Sequence, residues 1–233
     1  MTMHMRDSAA SESVLLIDNA DIDYLESSRP VGGWCKRYFD VGCSAVALVL
    51  FSPLFLMISL LVKLSDGGPV FFRHQRIGCQ SRHFPCFKFR TMRVDGDAIL
   101  KRHLLASPDA AREWSATRKL KSDPRITSVG AVLRQLSLDE LPQLINIVRG
   151  EMSVVGPRPV VSEELEMYGP HAPFYLRARP GLTGAWQISG RNDVSYDTRV
   201  ALDRSYVENW SLWTDILIIL KTIPAVITSR GTY

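Results

Sequence analysis

The strongest pattern along the chain is an uncharged apolar run from Val41 to Val62, 22 positions reading VGCSAVALVLFSPLFLMISLLV. As one straight helix at about 1.5 Å per residue it would reach ~33 Å, enough to cross a bilayer core. Forty mostly polar residues precede it and no small-residue cleavage site follows, so a secretory leader is not expected. Membrane insertion is the expectation, with a buried helix of a soluble domain as the alternative. Ser52-Pro53 lies mid-run, where proline removes a helical hydrogen bond and clashes with the preceding turn. Basic charge flanks the run almost evenly, with Arg29, Lys36 and Arg37 before it and Lys63, Arg73, Arg76 and Arg82 after it. Neither end has a reason to be translocated. The pattern predicts a re-entrant helix-break-helix that bends at Ser52-Pro53 and returns to the cytosolic side. A kinked spanning helix is the competing expectation.

The rest of the chain divides around that run. Residues 1–30 read as a polar tail, 31–66 as the membrane segment and 67–233 as a domain on the cytosolic face. Asp66-Gly67-Gly68-Pro69 stops the helix. Aromatic-rich segments Val70–Arg73 and Phe84–Met92, separated by Gly78 and small polar residues, predict a β-hairpin. Ser107-Pro108 predicts a capped helix running to about Lys119. Leu100, Leu104 and Leu105 among Lys101, Arg102 and His103 suit either a membrane surface or a helix packing one apolar face on the domain. Trp210, Trp213 and Ile216–Leu220 form a second apolar cluster, bracketed by Asp215 and Lys221 too closely to cross a membrane. The expected class is α/β and mostly helical: a membrane-anchored monotopic domain with a small β-hairpin and interfacial amphipathic helices.

Candidate chemistry concentrates in Arg134–Pro159, RQLSLDELPQLINIVRGEMSVVGPRP. Leu138, Leu141, Leu144, Ile145 and Val148 make an apolar helical stripe, and Asp139, Gln143 and Asn146 a polar one beside it. Gly150 ends the helix. Ser137 with Glu140 fits a capping box, although Pro142 moves the start toward Asp139. Asp139 and Glu140 are then expected in a first turn, where the helix dipole favours the ionised carboxylate. Such a pair caps a helix in most proteins. It also suits an aspartate nucleophile toward phosphorus, with a second carboxylate holding Mg²⁺.

Anion binders surround the pair in sequence. Lys88, Arg90 and Thr91 lie at the end of the second expected strand, with Lys88 and Arg90 two apart and so on one face. Arg134 lies five positions before Asp139, and Arg158 is fixed between two prolines. Arg179–Gly184 is a glycine-rich loop that either brings amides to a phosphate or serves a structural turn. Composition narrows the field further. With 233 residues, 46% hydrophobic and 22% charged, the chain is not disordered. A net charge of +4 permits anionic ligands but does not suggest nucleic acid. The 4 cysteines form no CxxC or zinc spacing, so free thiols are expected.

Taken together, LSLDELPQLINIVRGEMSVVGPRP, KRYFD (Lys36–Asp40), the Ser52-Pro53 break, KFRTM (Lys88–Met92) and RPGLTGAWQISGR (Arg179–Arg191) resemble the bacterial sugar transferases. These are the monotopic polyprenyl-phosphate phosphoglycosyl transferases. The likeness runs from Gly32 to the closing Ser-Arg-Gly-Thr-Tyr and is nearest to short exopolysaccharide enzymes that transfer galactose-1-phosphate. It implies transfer of a sugar-1-phosphate from a UDP-sugar to undecaprenyl phosphate, releasing UMP, on the cytosolic face of a bacterial inner membrane. It further implies Asp139 as nucleophile and Glu140 as the Mg²⁺ ligand. Lys88, Arg90 and Arg134 match the phosphate-binding surface and Arg158 the nucleotide side, with Thr91 and Gln143 as further candidates. Partners would be UDP-sugar, undecaprenyl phosphate and membrane lipid, with no nucleic acid and a homo-oligomer left open. Competing functions are a membrane-anchored nucleotide-sugar pyrophosphatase and a non-catalytic adaptor for anionic lipid.

Overall fold

The computed structural model describes residues 29–189 and 195–228. Most of the expected N-terminal tail, Arg191 of the glycine-rich motif and the last five residues lie outside them. The apolar run folds as two helices, α1 (Gly33–Leu50) and α2 (Ser52–Asp66), joined through Phe51. Among the described residues no single helix is long and apolar enough to cross a membrane. The two together are, but they are bent by 65° at the break. The bend has a local cause. In a straight helix the Val49 carbonyl would accept the N–H of residue 53, which proline lacks. The Ser52 hydroxyl donates to that carbonyl instead, at 2.8 Å. Pro53 then sits in the first turn of α2, where a missing N–H costs nothing. Both helices keep large apolar side chains in solvent, Val49 at 75% exposure and Leu64 at 72%.

The hairpin forms as predicted but with shifted ends. Strand β1 (Phe71–Ile77) runs antiparallel to β2 (His83–Phe89), with Phe71 opposite Phe89 and Ile77 opposite His83. β1 continues four residues past Arg73 because its side chains are mostly exposed, so Arg73, His74, Gln75 and Arg76 need no apolar pattern. β2 stops at Phe89, and Met92 pairs instead with Ile126 through an isolated bridge. Beyond it lie α3 (Gly96–Ala106) and α4 (Pro108–Thr117). The Ser107 hydroxyl caps α4 by accepting from the Ala110 N–H at 3.3 Å. That helix ends at Thr117, two residues short of Lys119, with Arg118 after it at φ 54°. On α3, Leu100 and Leu104 are half-buried and Leu105 is 79% exposed. Its apolar side therefore serves the domain in part and faces outward in part.

Helix α5 (Ser128–Gln135) packs closely on the chain leaving β2. A Cβ at Gly130 would stand 2.1 Å from the Thr91 carbonyl oxygen, so only glycine permits the approach. Next come α6 (Gln143–Arg149), β3 (Ser153–Val155), α7 (Ser162–Glu166) and α8 (Ala172–Leu176). After them follow β4 (Gly181–Thr183), α9 (Tyr196–Glu208) and α10 (Leu212–Thr228). β3 and β4 form a short parallel pair that the sequence pattern does not reveal. Phe84 and Cys86 of β2 pack on Leu144 and Ile147 of α6, while Phe89 packs on Ile58 and Val62 of α2 and Leu133 of α5. The hairpin thus packs on both the apolar helix pair and the segment carrying Asp139, and Leu138 and Leu141 of that segment also touch the α2 cluster directly.

The start of α1 is fastened to the rest by buried polar groups. The Lys36 ammonium lies 2.6 Å from Asp215 on α10, whose carboxylate also accepts from Tyr206 at 2.7 Å and Trp210 at 3.1 Å. Asp40 accepts from the Ser153 hydroxyl and the Val154 N–H, both at 3.0 Å. Arg37 donates to the carbonyls of Ile147 and Val148, at 2.5 and 2.8 Å, at the end of α6. α10 itself divides its surface, burying Asp215 and Ile218 and exposing Trp213, Leu220 and Ile223.

Candidate active site

The segment before α6 departs from the expected capping box. Ser137 is in the left-handed region at φ 54° and makes no side-chain cap. Leu138–Glu140 form one tight 3₁₀ turn, and α6 begins only at Gln143, after Pro142. Pro142 has no N–H to donate to the Leu138 carbonyl, so an α-helix does not run through it from the turn, and the two carboxylates precede the helix and do not sit in its first turn. Their electrostatics follow suit. Asp139 is pushed up to about 6, chiefly by burial; Lys88 opposes the rise and the neighbouring Glu140 adds to it. The expectation that a helix dipole would favour its ionised form is therefore reversed.

Three other predicted residues converge here. The Lys88 ammonium stands 2.6 Å from the Glu140 carboxylate. Burial works against the charged lysine, but Glu140 beside it leaves the group above its ordinary value. The Thr91 hydroxyl accepts from Arg134 Nε at 2.9 Å, and the Arg134 charge lowers Asp139. Lys88, Thr91, Arg134, Asp139 and Glu140 thus form one cluster, delivered by the end of β2, by α5 and by the 3₁₀ turn. Asn146, read as part of a polar stripe with Asp139, fastens this arrangement. Its side chain accepts from the Phe87 N–H at 2.9 Å and donates to the Pro85 carbonyl at 2.8 Å, holding β2 on α6 next to Lys88.

Other predicted residues go elsewhere. Arg90 does not share a face with Lys88; it is buried, paired with Asp66 at the end of α2. Gln143 is buried at the start of α6. Arg158 lies over the Trp186 ring, 5.6 Å from its centre, and the Arg199 guanidinium lies 4.9 Å from the same ring. The glycine-rich loop takes its structural alternative. The Gly156 N–H donates to Thr183 at 2.9 Å and the Gly181 N–H to Pro157 at 2.8 Å, so these amides serve each other's segments. A Cβ on Gly181 would come within 2.1 Å of the Gly156 nitrogen. Lys36, Arg37, Asp40 and Asp215 were not singled out as site residues. The signal for them was four charges placed at the edges of apolar stretches.

Among the described residues, no group of three or more His, Cys, Asp or Glu side chains could hold a metal ion. The adjacent Asp139 and Glu140 nonetheless suit Mg²⁺, which commonly takes one or two carboxylates and fills its shell from substrate phosphates and water. Burial is the main reason Asp139 is raised and repulsion from Glu140 adds to it; that added repulsion is what a divalent cation would relieve.

A half-buried carboxylate pair with a lysine 2.6 Å from one member and an arginine beside the other is a candidate site for phosphate chemistry. The family model described as bacterial sugar transferase matches residues 31–229. An exopolysaccharide production protein, ExoY, of Rhizobium meliloti is 66% identical over 205 residues, 88% of this chain and 91% of that protein. The ExoY of Sinorhizobium fredii is 62% identical with the same coverage. An undecaprenyl-phosphate galactose phosphotransferase of Salmonella typhimurium is 53% identical over 199 residues, 85% of this chain and 41% of that longer protein. The chain belongs to the bacterial sugar transferase family and is a phosphoglycosyl transferase. The pyrophosphatase and adaptor readings fall away with that assignment.

Proposed function

We propose that the enzyme transfers a sugar-1-phosphate, galactose-1-phosphate by preference, from a UDP-sugar to undecaprenyl phosphate as the first membrane step of exopolysaccharide synthesis. The observation that carries this reading is the half-buried Asp139 beside the Lys88–Glu140 pair. With its pKa near 6, Asp139 is mostly ionised at neutral pH, and its partial burial leaves it less hydrated than a surface carboxylate. One carboxylate oxygen attacks the sugar-bearing phosphorus, and the bond from that phosphorus to the UMP oxygen breaks. UMP leaves with the electron pair, and the sugar phosphate stays on Asp139 as an acyl phosphate. An oxygen of undecaprenyl phosphate then attacks the same phosphorus and Asp139 departs as carboxylate. Lys88 and Arg134 neutralise charge on the entering diphosphate. Glu140 would hold Mg²⁺, which supplies further charge neutralisation when bound.

The bent α1–α2 pair would serve as a re-entrant anchor in the cytoplasmic membrane, with the site on its cytosolic side. That placement lets a soluble nucleotide sugar and a lipid phosphate reach one aspartate in turn. The preference for galactose rests on the name of the Salmonella relative and on the likeness of the whole chain. The test is mass spectrometry of the enzyme, intact and after acidic proteolysis, incubated with UDP-galactose and Mg²⁺ without lipid acceptor. A hexose-phosphate increment on the peptide containing Asp139, absent in Asp139→Asn, is expected. An unmodified peptide in an enzyme that turns over with lipid present sinks the covalent route. A panel of UDP-sugars, scored by label entering the organic phase, tests the sugar.

A further inference from the structure

We propose that the start of α1 carries a second anion site, for the phosphate of an anionic phospholipid headgroup, built by Arg29, Arg37 and Arg179. A cavity of about 120 Å³ is lined by these three arginines with Pro30, Gly33 and Trp34. Among the described residues none of the three guanidiniums forms an ion pair with a carboxylate. Two are held in place by the carbonyl end of α6. Arg37 donates to Ile147 and Val148, and Arg179 donates through Nε to Gly150 at 2.9 Å. The Arg29 segment is tied to the Arg179 segment by the Val31 N–H, which donates to the Arg177 carbonyl at 3.0 Å. Three like charges are therefore gathered around one hollow; the helix-end carbonyls, and Asp40 near Arg37, offset them only in part, and Arg179 still repels Arg37. An anion in the hollow removes the repulsion, and the fork of an arginine fits phosphate oxygens two at a time.

The surroundings select a lipid phosphate. Trp34 and Tyr38, one turn apart on α1, are 61% and 71% exposed, with ring centres 6.0 Å apart. Further along the helix stand the exposed Val46, Val49 and Leu50. Cationic hollow, aromatic pair and apolar surface succeed one another in the order of headgroup, interface and hydrocarbon in a bilayer. A phosphodiester without an amine, as in phosphatidylglycerol, matches this charge; the choline of a zwitterionic lipid brings an unwanted cation. None of the lining residues belongs to the Asp139 cluster.

The inference rests on the proposed membrane anchoring, so two measurements separate them. Flotation of the full-length protein with phosphatidylcholine vesicles reads anchoring alone. Native mass spectrometry of the detergent-purified protein, titrated with phosphatidylglycerol or phosphatidylcholine, reads the site. Phosphatidylglycerol should be retained at least fivefold more tightly, and Arg29→Gln should weaken it about fivefold while leaving phosphatidylcholine unchanged, from about 1 kcal/mol per basic residue at a membrane surface. Arg29 makes no hydrogen bond among the described residues, so this variant should fold, and Arg29→Lys should keep most of the preference. Equal retention of both lipids, or an Arg29→Gln variant that keeps the preference, overturns the site even where flotation succeeds. Displacement of phosphatidylglycerol by millimolar inorganic phosphate also overturns it, because the hollow would then be a site for free phosphate.

Discussion

The Lys88 ammonium and the Glu140 carboxylate meet at 2.6 Å across a gap of 52 positions in the chain. The contact joins the end of β2 to the turn that carries Asp139, so it sets both the charge beside Asp139 and the direction in which Glu140 points. Both side chains are about one-third exposed, which limits what the pair adds to stability. Its weight falls on the site.

Lys88→Ala should therefore lower kcat/KM by about 10²- to 10³-fold, the range for removing one preorganised charged donor, while thermal stability changes little. Lys88→Arg should recover part of the loss, since the charge returns but the guanidinium cannot take up the ammonium's position. Steady-state kinetics with UDP-sugar as the varied substrate, alongside melting curves, checks this. Full activity in Lys88→Ala would remove Lys88 from the site.

The bend at Phe51 leads to a prediction about topology. With Cys35, Cys43, Cys79 and Cys86 replaced by alanine, a cysteine introduced as Ala10→Cys should react with an impermeant maleimide only in inverted vesicles, with the cytosolic side outward. Pro53→Ala, which restores an N–H for the Val49 carbonyl, should straighten the pair and expose that cysteine on the outer side in part of the population. Labelling from outside with Pro53 in place would mean that the pair crosses the membrane.

Lys36 and Asp215 form a pair buried almost completely, at 4% and 0% side-chain exposure. Lys36→Met leaves Asp215 uncompensated and should cost about 3–5 kcal/mol. The double variant Lys36→Met with Asp215→Asn should recover part of it, because Asp215 is then no longer a stranded charge, while the buried Asp40, 4.0 Å from Lys36, still loses its cation. Chemical denaturation of the two variants in one detergent measures the difference. An unaltered Lys36→Met midpoint would show that the pair does not hold α1 to α10.

Asp203, buried on α9, accepts from the Tyr168 hydroxyl at 2.8 Å, and burial pushes its carboxyl up to about 7. Its folded pKa thus lies above the unfolded value. The folded protein keeps a proton that the unfolded chain has lost, so this group's contribution to stability declines from about pH 4 to 7 and levels off above. Asp203→Asn keeps an acceptor for Tyr168 and should flatten that decline. Melting temperatures from pH 5 to pH 8, in the parent protein and the variant, test it; parallel curves would discard the assignment.

Local rules carried much of this molecule. A 22-residue uncharged run with proline inside it is two helices and a bend wherever it is placed, since the missing N–H and the ring clash are covalent facts. Ser107-Pro108 starts a helix, Gly150 ends one at φ 87°, and two aromatic-rich segments made a hairpin. The motif around Asp139 was legible as a set of residue types. What those residues do to one another was not. Arg90 and Lys88 are two apart in the chain, yet one is drawn to Asp66 on α2 and the other to Glu140. Asp139 carries a raised pKa because folding buries it, with Glu140 beside it adding to the rise. Lys36 finds Asp215 from 179 positions away. Helix, turn and break depend on bonds within a few residues, so the order of amino acids decides them. The partner of a charge, and the water left around it, depend on which distant surfaces close over it, and that only the packed chain decides.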